Sequence, residues 1–346
     1  MRILRRQVAR GLDFTMCVLM NRMQRRHCLD ARSRAALEAY LDQCAGLTPA
    51  QFFAAPPIAS LPEPEPGTGL PILRWETPWP SDYPANDRAH ALLFLPHPGA
   101  PTVLMLHALA STSDKGYRGW AARFNAAGWN ACFIHLPYHY SRVPAGCANG
   151  ELAITADLVR TGQGLRQGVA ELRQLMAWLR GQGVREFGLW ATSYGGWIGA
   201  LLLGVEDDFR FAVLQAPIVN VAHAIWESGA ARHMRGELAR CGITQALIRR
   251  HEHLTFPMRV QPACGADRVI LAAGLWDQLA LARDIAALHR LWPGSALLNI
   301  EQGHFGFRMA EACFRHLGER GFINAGNAGK IRNSKSEGSE ATVERL

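Results

Sequence analysis

The stretch FGLWATSYGGWIGALLL, residues 187–203, decides how the rest of the chain is read. It opens with the apolar run Phe187-Gly188-Leu189-Trp190, which predicts a buried strand. It then turns through Ala191-Thr192-Ser193-Tyr194-Gly195-Gly196 and continues in small and apolar residues that predict a helix. A serine on so tight a strand-to-helix turn needs small residues two positions to either side, because the two backbones nearly touch there. Ala191-x-Ser193-x-Gly195 meets that need, with alanine where the pattern usually has glycine. Taken alone, the stretch also fits a serine buried in an ordinary turn.

Two later stretches repeat the arrangement of a strand followed by a chemically equipped loop. Arg268-Val-Ile-Leu-Ala-Ala273 predicts a strand and runs into Gly274-Leu275-Trp276-Asp277. Ala296-Leu-Leu-Asn-Ile300 predicts another and runs into Glu301-Gln302-Gly303-His304-Phe305. Serine, acid and histidine in that order, each directly after a strand-like run, are far more specific than any one of them. Region 70–320 in this respect resembles the α/β-hydrolase fold serine hydrolases.

That resemblance implies a site. Ser193 would be the nucleophile, His304 the base that takes its proton, and Asp277 the acid that orients the imidazole and stabilises its charged form. Asp207 and Asp208 are competing acids, but they precede the strand at 211–216 in a surface-like acidic run; Asp267 also falls before its strand. One oxyanion donor would be the backbone N–H of Tyr194. The other would be that of Leu109, since His107-Ala108-Leu109-Ala110-Ser111 resembles an H-G-x-x-x-S loop with alanine for glycine. His107 reads as an organiser of that loop. No metal or organic cofactor is implied. The loop Leu136–Pro144, the helix containing Thr155–Gly164 and the elbow also resemble a narrower group, typified by α/β-hydrolase domain-containing protein eighteen.

The expected fold is α/β: a mostly parallel, twisted sheet with helices on both faces. Ile72–Trp75 and His90–Leu95 predict an opening antiparallel pair, and Thr102–His107, Asn130–His135 and Phe211–Ala216 predict further strands. Helices are expected over about 117–128 and 151–182. Strands alternating with helices imply right-handed crossovers. Between Pro217 and Pro262 the alternation breaks, and two helix-like stretches with Trp226 and Met234 form a candidate lid or an ordinary packing pair.

Residues 1–69 predict a basic helical segment and a proline-rich connector, 70–324 the hydrolase domain, and 325–346, rich in Asn, Gly, Ser, Lys and Glu, a disordered tail. The formal charge is +8, yet residues 1–30 alone, with seven arginines against Asp13 and Asp30, hold +5 of it. Basicity this local, without a nucleic-acid motif, argues against nucleic acid as a partner. A basic helix with an apolar stripe either packs across its own domain or lies on an anionic membrane surface.

Eight cysteines without C-x-x-C pairs point to thiols in a reducing compartment. The sequence shows no secretory signal and no run of about 20 apolar residues, so a cytoplasmic location is expected, with peripheral contact at the inner membrane surface as the alternative. His135, His139, His223, His251 and His253 make no convincing metal set, and His251-x-His253 reads as a solvated helix face. The activity implied is hydrolysis of a carboxylic ester or related acyl bond, on a small-molecule or lipid substrate. The alternatives are a serine peptidase or amidase and a non-enzymatic, membrane-docking member of the fold.

Overall fold

Among the described residues nine strands form one sheet, and its middle is built from runs that are apolar at almost every position. They are β1 (Glu63–Pro64), β2 (Pro71–Glu76), β3 (Arg88–Phe94), β4 (Thr102–Leu106), β5 (Asn130–His135), β6 (Phe187–Thr192), β7 (Phe209–Gln215), β8 (Val269–Gly274) and β9 (Ala296–Ile300). Their spatial order is β1-β2-β3-β5-β4-β6-β7-β8-β9. From β5 to β9 every pairing is parallel, and β1, β2 and β3 pair antiparallel at one side. Strands β4, β5 and β8 are buried along their whole length, as a sheet covered on both faces requires. The computed structural model describes residues 2–58, 63–64 and 69–324. The expected tail at 325–346 and part of the proline-rich connector lie outside the described residues.

The helices in chain order are α1 (Arg2–Gln24), α2 (Ser33–Cys44), α3 (Pro49–Phe52), α4 (Lys115–Ala126), α5 (Leu158–Gly181), α6 (Tyr194–Leu202), α7 (Val221–Trp226), α8 (Arg232–Arg240), α9 (Gln245–Arg249), α10 (Glu252–Thr255), α11 (Ala282–Leu291) and α12 (Arg308–Glu319). Strand alternation in β6 sets the two layers. Trp190 points to one face, its ring centre 5.0 Å from Trp120 and 5.4 Å from Phe124 of α4, and 6.5 Å from Phe314 of α12. Leu189 and Ala191 point to the other, against α6, where a Cβ built on Gly199 would lie 3.1 Å from Leu189 and 3.2 Å from Ala191. Helix α5 backs α6 on that side through the close approach of Gly168 to Ile198.

Two boundaries differ from the sequence reading for local reasons. The helix expected from about 151 starts at Leu158, because Asp157 caps it: its carboxylate accepts the Arg160 N–H at 3.1 Å. Residues 151–157 before it form turns. The N-terminal region splits into α1 and α2 around 25–32, where Asp30 accepts hydrogen bonds from the Arg32 amide at 2.9 Å and the Ser33 hydroxyl at 2.8 Å. No helix among the described residues is long and apolar enough to cross a membrane.

Candidate active site

Because β4 to β9 run parallel, the loops that follow β4, β6, β8 and β9 all emerge at the same edge of the sheet. Ser193 sits at the corner between β6 and α6 with φ +53° and ψ −111°, in a region that residues with side chains rarely adopt. Such a conformation costs on the order of 1–3 kcal/mol and persists only where its surroundings hold it. Here the Ser193 N–H donates to Gln215 O at 2.8 Å, and its carbonyl accepts from Trp197 N at 3.0 Å. Gly195 is required at the corner: a Cβ there would lie 2.6 Å from His107 O and 2.8 Å from Leu106. At 191 an alanine fits because the helix offers Gly199 opposite it.

His304 and Asp277 close on this serine from the loops after β9 and β8. The Ser193 Oγ and His304 Nε2 are 2.8 Å apart, and His304 Nδ1 stands 2.8 Å from Asp277 Oδ2. A carboxylate only accepts, so Nδ1 carries the proton and Nε2 is the acceptor facing the serine hydroxyl. The other carboxylate oxygen of Asp277 is held by the amides of Leu279 at 2.8 Å and Ala280 at 2.9 Å. Burial disfavours a charged His304 ring, yet the charge and hydrogen bond of Asp277 together with the charge of Asp13 outweigh it and hold the histidine above its ordinary pKa. The competing acids lie elsewhere. Asp208 pairs with Arg180 at 2.8 Å, and Asp267 precedes β8, at the opposite edge of the sheet.

The backbone amides of Tyr194 and Leu109 have no protein acceptor among the described residues. Both are therefore free to donate to a ligand. The Leu109 loop is held from behind by residues whose role the sequence reading missed. His139 Nε2 lies 3.0 Å from Leu109 O, Asn149 donates to Ser111 O at 2.8 Å, and the hydroxyls of Ser111 and Tyr140 are 2.7 Å apart. Burial pushes the His139 pKa down to about 4, so the neutral ring can donate to only one of its two carbonyl neighbours, Leu109 O and Pro137 O. His107 organises the same loop as a neutral ring, donating from Nδ1 to Ala108 O at 3.0 Å and accepting the Leu136 amide at 3.1 Å on Nε2. The backing loop carries positive φ at Tyr138 (67°) and Tyr140 (52°), a strain that proline-flanked aromatic sequence does not announce.

Over the serine lies a cavity of about 360 Å³ with mostly apolar walls. Segment 217–262 contributes Ile225, Met234 and Phe256 to it, and α1 contributes Met16, Met20 and Met23. Trp226 does not line it. Three residues on its wall carry a buried polar atom without a partner among the described residues: Gln24 Oε1, the Tyr194 hydroxyl and His251 Nε2. His251 thus departs from the solvated face expected of it: it is buried with its ring edge-on to Tyr40 at 5.1 Å, and only His253 is exposed. His251 caps the start of α10 and His253 lies inside it, so the two rings face different sides, which the sequence reading overlooked.

Helix α1 crosses this cavity and also reaches the two loops beside it. Asp13, fully buried, accepts the His304 N–H at 3.0 and 3.1 Å and the Gln278 N–H at 3.0 Å. No motif marks this residue; its one signal is an acid standing alone among arginines and apolar residues. Farther along α1, Asn21 donates to Gly229 O at 2.6 Å and accepts His233 N at 2.9 Å, tying the helix to segment 217–262.

All eight cysteines are free thiols, five of them buried. One described group, Cys28, His233 and Glu237, has ligand atoms within 4.8 Å of one another. None of the three lines the cavity, and Glu237 is already engaged by the Leu29 amide and Arg240.

No family model matches the chain. An uncharacterised protein of Mycobacterium tuberculosis, found in two strains, is 27% identical over 240 residues, or 65% of this chain and 54% of that one. The chain thus spans about half the length of the curated relatives it matches. Among solved structures, the acetyl xylan esterase of Paenibacillus sp. R4 superposes with a TM-score of 0.57 at 14% identity, covering 83% of this chain and 92% of the esterase. Acetyl xylan esterase 1 of Thermoanaerobacterium sp. JW/SL YS485 gives 0.56 at 14% identity, covering 81% and 92%. Acylaminoacyl peptidase of Pyrococcus horikoshii gives 0.50 at 13% identity, covering 75% of this chain and 41% of the peptidase. Strand order, the serine corner and these superpositions agree: the chain has the α/β-hydrolase fold.

Proposed function

We propose that this protein is a serine hydrolase that cleaves a carboxylic ester or related acyl bond through Ser193, His304 and Asp277. The observation that carries the reading is the unbroken hydrogen-bonded line from Ser193 Oγ through His304 to Asp277, on the floor of an apolar cavity. As Ser193 attacks the acyl carbon, its proton passes to His304 Nε2, and Asp277 stabilises the imidazolium that forms. The amides of Tyr194 and Leu109 donate to the oxyanion. His304 then gives the proton to the leaving alcohol, and water, deprotonated by the same ring, releases the acid.

The walls favour an acyl group over a sugar or peptide. Met16, Met20, Met23, Ile225, Met234 and Phe256 offer area to an alkyl chain and few directed hydrogen bonds. Among the neighbours in fold are acetyl xylan esterases and an acylaminoacyl peptidase, which keeps an amidase as the nearest alternative. The test is labelling of purified protein by a fluorophosphonate probe, followed by p-nitrophenyl esters of increasing chain length. Wild type labels, and Ser193→Ala and His304→Ala do not. Folded wild type that stays unlabelled, with and without liposomes, overturns the reading.

A second reading concerns where this hydrolase works. Ile3, Leu4, Val8, Phe14 and Val18 of α1 are more than half exposed, beside a run of arginines. A helix that turns apolar and basic side chains outward suits the boundary of an anionic bilayer. On this reading residues 1–30 hold the protein at the cytoplasmic face of a membrane, and the substrate reaches the cavity from the lipid beside α1.

A further inference from the structure

Asp13 lies in the N-terminal helix, 264 residues before the acid and 291 before the histidine of the site, yet it is one of the most deeply buried carboxyls in the chain. No cation pairs with it among the described residues. Its oxygens instead accept two backbone N–H groups, one from His304 itself and one from Gln278, the neighbour of Asp277. Burial without a counter-charge costs stability, and these amide hydrogen bonds are what offset it.

The surroundings are shaped around this contact. A Cβ on Gly303 would lie 3.0 and 3.1 Å from the Asp13 oxygens and 3.2 Å from the Ala9 Cβ. Gly303 therefore lets α1 approach the histidine loop. On the other loop, the Gln278 side chain returns the contact by donating to Arg10 O at 2.7 Å. Ties between the two loops, such as Trp276 N to Gln302 O at 3.0 Å, exist without α1, so Asp13 fixes the ends that carry the chemistry.

We propose that Asp13 is a positioning residue of the hydrolytic site: its carboxylate staples the His304 loop to the Asp277 loop and adds negative charge beside the imidazolium. This inference rests on the serine-hydrolase reading above. It makes α1 a part of the active site as well as a wall of its cavity.

The charged and titratable groups that meet here are few. His304 faces Ser193, Asp277 and Asp13, and Asp13 faces His304, Asp277 and Cys17, one turn along α1. Removing the charge at 13 leaves one carboxylate beside the imidazole, so the ring loses its proton at lower pH. A purely structural role for Asp13 does not move that titration.

The experiment compares full-length wild type, Asp13→Asn and Asn21→Ala, the last breaking the other anchor of α1. Each is followed by fluorophosphonate labelling rate, p-nitrophenyl butyrate kinetics from acid to neutral pH, and thermal unfolding. Asp13→Asn is expected to lower kcat about tenfold or more with little change in KM, as slight misplacement of a reacting group does. It also moves the acid limb of kcat/KM to lower pH, while Asn21→Ala leaves that limb in place. An Asp13→Asn enzyme with wild-type kcat and limb overturns the proposal. So does a loss of rate matched by Asn21→Ala with the limb unmoved, which is mere destabilisation. Should Asp13→Asn fail to fold, Asp13→Glu serves: it keeps the charge and shifts it, so kcat falls while the limb stays. If wild type itself does not label, the hydrolase reading fails first, and the two failures are told apart.

Discussion

Arg142 meets Glu171 through two side-by-side hydrogen bonds of 2.6 and 2.8 Å, and neither side chain exposes more than 1% of its surface. The guanidinium also donates to Asn86 O and to His135 O, so it bolts the loop after β5 to α5 and to the turn before β3. This is the loop that backs the Leu109 amide. Glu171→Ala leaves a buried cation without its partner, which typically costs about 3–5 kcal/mol. Thermal unfolding of this variant is expected to fall well below wild type, with labelling of Ser193 slowed in the protein that remains folded.

The raised pKa of His304 has a definite sign for activity. The ring must be neutral to accept the serine proton, so kcat/KM falls as pH drops through the folded value, and that limb lies above the ordinary imidazole value of about 6.5. The same shift acts on stability in the opposite sense: its contribution is full below the unfolded pKa and is lost as pH rises through the folded one. A pH profile with its acid limb below that ordinary value contradicts the assignment of base and partners.

At the serine corner the one departure from glycine, Ala191, behaves differently from the glycine that remains, Gly195. Gly195→Ala forces a Cβ to within 2.6 Å of His107 O, and overpacking of this kind costs about 1–3 kcal/mol. It is expected to abolish labelling. Ala191→Gly removes a methyl from an already accommodated position and is expected to label normally, at the expense of some stability. Activity readings on both variants check the pair.

If the cavity holds the acyl chain of the proposed substrate, its volume limits the length accepted. Met234→Trp fills part of the apolar volume over Ser193, so kcat/KM for p-nitrophenyl octanoate is expected to fall at least tenfold while the acetate ester is affected little. Equal loss on both esters places the alkyl chain elsewhere.

Membrane contact is checked by co-sedimentation with vesicles. Each basic side chain near an anionic surface contributes about 1 kcal/mol, so replacing Arg2, Arg5 and Arg6 by glutamine is expected to release the protein from phosphatidylserine vesicles but to leave fluorophosphonate labelling in free solution unchanged. Binding that ignores anionic lipid argues against this docking.

Much of the fold was legible because it is written in contiguous runs. The strands at 130–135 and 296–300 match the sequence reading residue for residue, since each is an unbroken β-like run bounded by turn residues. Ser193, Asp277 and His304 were legible through their place after such strands. What could not be read depends on contacts between distant segments: Asp13 under the histidine loop, His139 behind Leu109, and α1 over the cavity. A single buried acid or ring carries no periodicity of its own. The start of α5 was misjudged because one capping carboxylate outweighed seven residues of permissive sequence.

The reach of Asp13 also bears on the order in which the protein is made. Its helix is synthesised before the strands of the sheet, and its amide donors at 278 and 304 only after most of them. Until then Asp13 has neither of its two donors. A chain stalled before residue 278 therefore presents the serine corner without the two loops that face it, and the candidate site is complete only when residue 13 meets residues 278 and 304.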